Sequence, residues 1–298
     1  MNAAARSPDF AGQLLRDEPM AKHTSWRVGG PADMLFKPAS VDDIALLLEH
    51  TDPELPVVWL GLGSNLLIRD GGIRGVVIAT HGVLKGLERV GDFAVRAEAG
   101  VSCARLAKQC ARWRLGPSQF FAGIPGTLGG ALAMNAGAFG GETWDRVIDV
   151  EVIDRRGTRH QRSFDEYEVG YRTVHGPADE WFLAARLRFD QEAKSGQEGI
   201  RQLLARRKAS QPIGQPSCGS VFRNPPGDHA ARLIETTGLK GYRIGGAEVS
   251  RKHANFIINT GTATAADVEA LIVHVRGQVA KHHGVDLIPE VRIIGEAA

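Results

Sequence analysis

The sequence predicts an α+β protein built in more than one domain, and three observations carry that expectation. Its 298 residues exceed what one compact core of ordinary size holds, so two domains, or three subdomains, are expected. The earlier part of the chain reads as short strand-like runs broken by glycine turns, whereas the last part sets one long helical pattern between two apolar strand-like runs. Between them lies DQEAKSGQEG, residues 190 to 199, polar enough for a linker or the opening of a charged helix and the best-placed domain boundary.

Composition narrows the class. Hydrophobic residues make up 43% and charged residues 23% of the chain, the balance of a soluble globular protein rather than a disordered one. The net charge of +2 is too small for a general nucleic-acid binder. No apolar run approaches the roughly 18 residues of a membrane span. The opening MNAAARSPDF lacks the apolar core of a signal peptide, so a cytoplasmic protein is expected. Three widely spaced cysteines match neither a zinc pattern nor a disulfide framework, and no metal is expected.

The elements follow in order. In SVDDIALLLEH, Ser40 is placed to cap a helix whose buried face carries Ile44, Leu47 and Leu48. PVVWLGLGSNLLIRDGGIRGVVIAT reads as short β-runs separated by glycine turns, and FAVRAEAG, VIDVEVID and WFLAARLRFD are further strands. VSCARLAKQCARWRL has helical spacing that buries Cys103 and Cys110 as core thiols. Beyond the boundary, Thr264 caps a helix carrying Val268, Leu271, Ile272, Val275 and Val279, and Gly284 ends it. HANFIIN and VDLIPEVRIIG flank it as strands, giving a small C-terminal α+β domain in which a helix covers a sheet.

Two glycine loops point to a ligand. GLGSN, residues 61 to 65, is not a Rossmann turn, because a third glycine is missing and the strand-like LLIRD follows where that motif requires a helix. No GxxxxGK[ST] occurs either. What remains is a strand-connecting loop whose backbone N–H groups at Gly61 and Gly63, with Ser64 and Asn65 adding donors, can form an anion-holding nest, or else an ordinary hairpin turn. The second loop, AGIPGTLGGALAMNAGAFGGE at 122 to 142, is apolar and rich in alanine. Residues that small let backbone approach something flat or extended, such as a nucleotide cofactor; tight packing between subdomains is the alternative.

At this point the chain resembles the UDP-N-acetylenolpyruvoylglucosamine reductase family, flavoenzymes of bacterial cell-wall precursor synthesis. The resemblance runs from about residue 20 to the end and rests on HTSWRVGGPAD, GLGSNLLIRD, AGIPGTLGGALAMNAGAFG, GYR, CGSVFRNP, AARLIETTGLKG, GGAEVSRKHANFIIN and PEVRIIG, in the family's order. It implies a two-subdomain FAD-binding domain of the vanillyl-alcohol-oxidase type, residues 1–83 and 84–195, followed by a C-terminal α+β substrate-binding domain, 196–298. By motif, Gly61, Gly63, Ser64 and Asn65 would cradle the FAD pyrophosphate. Gly123, Ile124, Gly126, Gly130, Asn135 and Gly137 would line the rest of the cofactor, with Arg27, Val28 and Gly29 nearby.

The implied reaction reduces the enolpyruvyl group of UDP-N-acetylglucosamine enolpyruvate to a lactyl ether, with FAD as hydride carrier, NADPH as reductant and a monomer as the expected state. Protein side chains cannot deliver hydride, which is why a flavin is required. Arg172 in GYR matches the family's catalytic arginine and suits a developing enolate, because a guanidinium is always charged and pairs bidentately. Glu290 in PEVRIIG matches the catalytic glutamate, and Ser220 in CGSVFRNP the proton donor. Lys208 and Asn224 match substrate-holding positions, Lys208 toward the diphosphate, and His253 a polar position near the uridine diphosphate.

Two departures stand out. The family's YRxS is YRTV here, so any role of that serine is lost or moved to Thr173. The interval from Arg172 to Ser220 lacks the inserted loop with a substrate-covering tyrosine, as in one subgroup. Cys218 is the stronger nucleophile by residue type, but the implied reaction needs a proton donor; Cys218 then becomes a small packing residue, with Gly219 permitting the turn that aims Ser220. The competing readings are another flavin oxidase or dehydrogenase of this fold, a non-catalytic nucleotide-sugar binder, and a cysteine hydrolase using Cys218, which lacks a recognisable base.

Overall fold

The computed structural model describes residues 9–192 and 196–298. The expectations for the first eight residues and for a boundary at residue 195 lie outside the described residues. The first sheet orders β1 (Gln13–Pro19), β2 (Pro31–Lys37), β5 (Ile73–Ala79) and β3 (Val57–Leu60). β2, β5 and β3 run parallel, and β1 adds an antiparallel edge. α1 (Val41–His50) begins at Ser40, whose side chain accepts from the Asp43 N–H at 3.1 Å, and its Ile44, Leu47 and Leu48 are buried as expected. β4 (Leu66–Ile68) directly follows GLGSN, so a strand and not a helix leaves that loop.

The second sheet is antiparallel. Its order is β9 (Arg159–Ser163), β8 (Val147–Asp154), β10 (Glu180–Arg188), β7 (Ala94–Glu98) and β6 (Leu87–Val90). α2 (Cys103–Trp113) contributes to its core, with both Cys103 and Cys110 fully buried. α3 (Leu128–Ala133) occupies the middle of the second glycine loop. α4 (Gln197–Ser210) packs on α2 and on the 3-10 turn Gln119–Gly123, and Ile200 joins that same core.

Beyond α4, α5 (Ala230–Thr236) precedes a three-stranded sheet formed by Arg243–Ile244, β11 (Ala247–Val249) and β12 (Ile257–Asn259). α6 (Ala265–His283) covers this sheet. Thr264 caps α6 by accepting from Asp267, and Gly284 ends it at φ 67°. The strands at either side of α6 are shorter than their apolar runs. Of VDLIPEVRIIG only β13 (Arg292–Ile294) is regular. The residues before it pair irregularly with 221–223, through Arg223 N–H to Ile288 O at 2.9 Å and Glu290 N–H to Val221 O at 2.7 Å. Pro289, bridged to Phe222, has no N–H to extend that ladder.

The last strand returns to the first glycine loop, because β13 pairs in parallel with β4, Arg292 opposite Leu66. Trp26 and Leu67 from the beginning of the chain are fully buried in the C-terminal core. Trp26 donates from Nε1 to Ile257 O at 2.7 Å, while its own carbonyl accepts from Asn259 Nδ2 at 2.9 Å. Trp26→Phe removes the donor and leaves a buried carbonyl short of a partner. It is expected to lower unfolding free energy by about 1–3 kcal/mol, measured by denaturant titration against wild type.

Candidate active site

One cleft collects most of the singled-out residues: Gly61, Gly63, Ser64, Asn65, Gly123, Ile124, Gly126, Gly130, Gly137, Arg172, Ser220, Asn224 and Glu290 all line it. Its floor is glycine for two different reasons. At Gly61 a Cβ would lie 2.4 Å from Thr127 Oγ1, and at Gly63, with φ 59°, 2.1 Å from His23 O; these two let segments approach. At Gly126 the nearest atom to an added Cβ is Ser64 Oγ at 3.4 Å, and at Gly130 it is Thr127 Oγ1 at 3.8 Å. Protein packing does not demand glycine there. The room it leaves opens into the cleft.

The opposite wall brings together three segments far apart in sequence. Arg172 sits at the turn of the hairpin Glu168–Gly170 and Thr173–His175, with φ 56°. Its Nε donates to Glu290 Oε1 at 3.1 Å, and its two terminal nitrogens donate to Asn135 O at 3.1 Å and Gly137 O at 3.0 Å. Both Arg172 and Glu290 keep only 15% of side-chain exposure. That burial pushes the Glu290 carboxyl above its ordinary pKa, opposed by the Arg172 guanidinium and, more weakly, by Arg223. The Glu290 N–H to Val221 O bond sets the glutamate beside Ser220.

The Ser220 loop is gripped from below. Asn255, nearly fully buried, accepts the Val221 N–H at its carbonyl and the Phe222 N–H at its side-chain oxygen, and donates to Phe222 O at 2.8 Å. Gly219 has φ 75°, which a side chain would strain. Cys218 is buried, and its thiol points to Gly63 O and Leu66 O at 3.6 and 3.4 Å. Burial pushes that thiol up to about 12, so little of it is thiolate at neutral pH.

Several predicted residues stand elsewhere. Lys208 is exposed and absent from the cleft lining, with its carbonyl accepting from Lys252 Nζ at 2.5 Å. Its neighbour Arg207 reaches the cleft instead, because it follows buried Ile200 by two helical turns and so shares its face of α4. Arg207 bonds Gln211 Oε1 at 2.8 Å, and burial lowers its pKa. The Asn135 side chain turns under the loop to Glu142, Gly170 O and the Trp144 N–H, leaving its carbonyl to hold Arg172. His253 stands behind Phe256, which lines the cleft, and its Nδ1 is buried without a partner among the described residues. Arg27 borders an adjoining lobe with Ser64 and Arg207, Val28 is in the C-terminal core, and Gly29 packs on Ile68. Thr173 contacts His175, not Arg172.

The cleft continues past Gly61, Thr127 and Gly130 into a second hollow bounded by Trp59, Thr80, Glu180 and Trp181. Trp59 stacks on Trp181 at 5.6 Å, and its Nε1 is buried with no partner among the described residues. A long trough floored by small residues, with a main-chain nest at its middle and an unanswered donor along it, fits an extended dinucleotide such as FAD.

Comparison with known proteins agrees with that fit. A family model described as FAD binding domain matches residues 32–162. A second, described as UDP-N-acetylenolpyruvoylglucosamine reductase, C-terminal domain, matches residues 211–294. Two proteins named UDP-N-acetylenolpyruvoylglucosamine reductase are similar over nearly their whole length. That of Alkalilimnicola ehrlichii is 59% identical, covering 96% of both chains, and that of Methylococcus capsulatus is 56% identical, covering 99% of this chain and 98% of the other. A crystal structure of UDP-N-acetylenolpyruvylglucosamine reductase from Thermus caldophilus superimposes with a TM-score of 0.81 at 32% identity, over 96% of this chain and 99% of that one.

Gly130 gives a direct test of the trough. Gly130→Leu replaces a glycine inside α3 and should hold or gain stability, by about 0.5–1 kcal/mol on helix grounds. The same side chain fills the trough, so the purified variant is expected to carry little FAD by absorbance while melting no lower than FAD-free wild type. Full flavin content in the variant would show that this face does not meet the cofactor.

Proposed function

The chain belongs to the UDP-N-acetylenolpyruvoylglucosamine reductase family, and from that membership we propose that it reduces UDP-N-acetylglucosamine enolpyruvate to UDP-N-acetylmuramate with NADPH as reductant. It is an FAD-dependent oxidoreductase of peptidoglycan precursor synthesis. The observation that carries the reading is the meeting of Arg172, Ser220 and Glu290 on one wall of the FAD trough. The proposed setting is the cytoplasm and the proposed state a monomer; among the described residues no helix is long and apolar enough to cross a membrane.

In this reading residues 1–83 and 84–195 hold the cofactor and 196–298 the substrate, with α4 packed on the cofactor side. The N–H groups of Gly61, Gly63 and Ser64 face the pyrophosphate, and Arg27, bordering the adjoining lobe with Ser64, supplies positive charge nearby. Asn65 lines the trough, but its amide donates to Glu290 O at 3.1 Å, so it ties the cofactor loop to the catalytic strand. Gly123, Ile124, Gly126, Gly130 and Gly137 leave room for the ring system. Asn224 accepts the Ala230 N–H through Oδ1 and keeps its amide nitrogen to donate to substrate in the cleft. Arg207 replaces Lys208 as the cation for a substrate phosphate, and His253 acts by seating Phe256.

FAD held in the trough would supply hydride chemistry at the terminal vinyl carbon, with NADPH as its reductant. The double bond's electron pair then moves toward the substrate carboxylate. Arg172, fixed by Glu290, Asn135 O and Gly137 O, places permanent positive charge where that enolate develops. Glu290, whose carboxyl burial keeps protonated to a higher pH than usual, avoids a second negative charge beside the enolate. Ser220 passes its hydroxyl proton to the ether-bearing carbon and regains one from water, so one hydride and one proton are added across the double bond.

Anaerobic half-reactions test this. Wild type is expected to bleach with NADPH and recolour when the enolpyruvyl nucleotide sugar is added without oxygen; a flavin that stays reduced would sink the reading. Ser220→Ala should bleach at nearly the wild-type rate but recolour slower by a factor on the order of hundreds, as for a lost general acid. Equal rates would remove Ser220 from the reaction.

Turnover should also fall as pH rises through the Glu290 pKa, which lies above the usual carboxylate value of about 4.3, because the competent form is the protonated one. Glu290→Gln keeps an acceptor for Arg172 and cannot ionise. It is expected to turn over more slowly and to lack that alkaline limb; a pH–rate profile with the limb unchanged would assign it to another group.

A further inference from the structure

We infer that Arg223 is a positioning residue for this reaction, strapping the main chain of Arg172 to the segment that carries Ser220. The role rests on the reduction proposed above. Arg172 lies in the left-handed region at φ 56°, a conformation that a residue with a side chain keeps only where its surroundings enforce it. Its hairpin pairs through strands of only three residues each, Glu168–Gly170 and Thr173–His175, so the sheet itself holds the turn weakly. The Arg172 carbonyl accepts from Arg223 Nη2 at 3.0 Å.

The other end of that strap is fixed. Arg223 donates its N–H to Ile288 O at 2.9 Å, within the irregular pairing that also sets Glu290 against Val221. A single side chain therefore joins the Arg172 turn to the loop of Ser220 and the strand of Glu290. No carboxylate among the described residues forms an ion pair with Arg223 within 4.0 Å, and its Nε is buried with no hydrogen-bond partner among them. A half-buried cation whose nearest counter-charge, Glu290, is not in direct contact gains little stability from its place, since removing charges from water without full pairing is unfavourable. Its bond to Arg172 accounts for its place. Arg172 has three nitrogens committed to Glu290, Asn135 O and Gly137 O, so a shifted main chain would misalign all three bonds.

The test uses FAD-loaded enzyme with Arg223→Ala and Arg223→Lys, following the two anaerobic half-reactions by flavin absorbance. Arg223→Ala is expected to reduce with NADPH as wild type does and to reoxidise with the enolpyruvyl nucleotide sugar roughly 10- to 100-fold more slowly, the scale of a misplacement near 1 Å. Affinity of the oxidised enzyme for that sugar should be unchanged, and added guanidinium ion should restore part of the rate. Arg223→Lys, which still offers an N–H to the same carbonyl, should recover most of it. Reoxidation unaffected in Arg223→Ala, or both half-reactions slowed in parallel with a lowered melting temperature in both variants, would overturn the role. A wild type that never reoxidises would instead overturn the reaction on which it rests.

Discussion

The active site depends on one contact, the hydrogen-bonded ion pair of Arg172 and Glu290. The two residues lie 118 positions apart and meet where little solvent reaches either, so each loses hydration that the pair only partly returns. The surrounding groups answer that deficit on the arginine side. Asn135 O and Gly137 O each take one N–H from its terminal nitrogens, and Glu142 stands 3.8 Å away. Gly137 can do so because it has no side chain: a Cβ there would come within 2.5 Å of Gly141 O. The glutamate receives less, and its carboxyl pKa moves up. An asymmetric pair of this kind sets fixed positive charge beside a carboxyl whose hold on a proton is strengthened by burial, which a symmetric exposed salt bridge would not.

Getting those two residues together is largely the work of backbone. β13 adds in parallel to β4, which fixes where the chain after Glu290 must run. The Arg292 N–H to Asn65 O bond, with Asn65 Nδ2 on Glu290 O, then registers the segment of Glu290 against the glycine loop. At the far side of the same junction, Asp70 caps the start of α6 by accepting from the Ala265 and Ala266 N–H groups, and Arg69 pairs bidentately with Glu269. The cofactor loop and the C-terminal part are therefore joined by directional bonds at both ends of β4. The hydrophobic contribution comes from Trp26 and Leu67, which enter the C-terminal core from the start of the chain.

The features legible in the sequence are those whose causes are local. Ser40 and Thr264 cap their helices because a hydroxyl next to an apolar 3.6-residue pattern has a nearby N–H to accept from. GLGSN fails as a Rossmann turn for an equally local reason, the strand that follows it. Positions set by helix phase were legible in principle: Ile200 and Arg207 share a face of α4, and Lys208 is rotated about 100° from that face. Motif matching alone pointed to Lys208, which is exposed, while Arg207 lines the cleft. The turned side chain of Asn135, the grip of Asn255 on the Ser220 loop and the reach of Arg223 to Arg172 depend on partners from 7 to 51 positions away. No periodicity reports such pairs, and the irregular pairing around Pro289 likewise depends on a partner segment near residue 222.

Cys218 and Ser220 show how far environment overrides residue type. By intrinsic chemistry the thiol is the better nucleophile, and two positions of sequence separate it from a hydroxyl that is inert alone. Gly219, in the left-handed region, lets the chain reverse between them. Cys218 then enters the core under the glycine loop, where burial lifts its thiol to about 12 and main-chain oxygens are its neighbours. Ser220 lines the trough, next in the chain to Val221, whose carbonyl accepts the Glu290 N–H. The same turn thus places the reactive atom type in the packing and the unreactive one on the wall of the trough. That sorting is what a protonation step requires and a covalent one would not tolerate, because a nucleophile needs access and a lowered pKa while a proton donor needs only position.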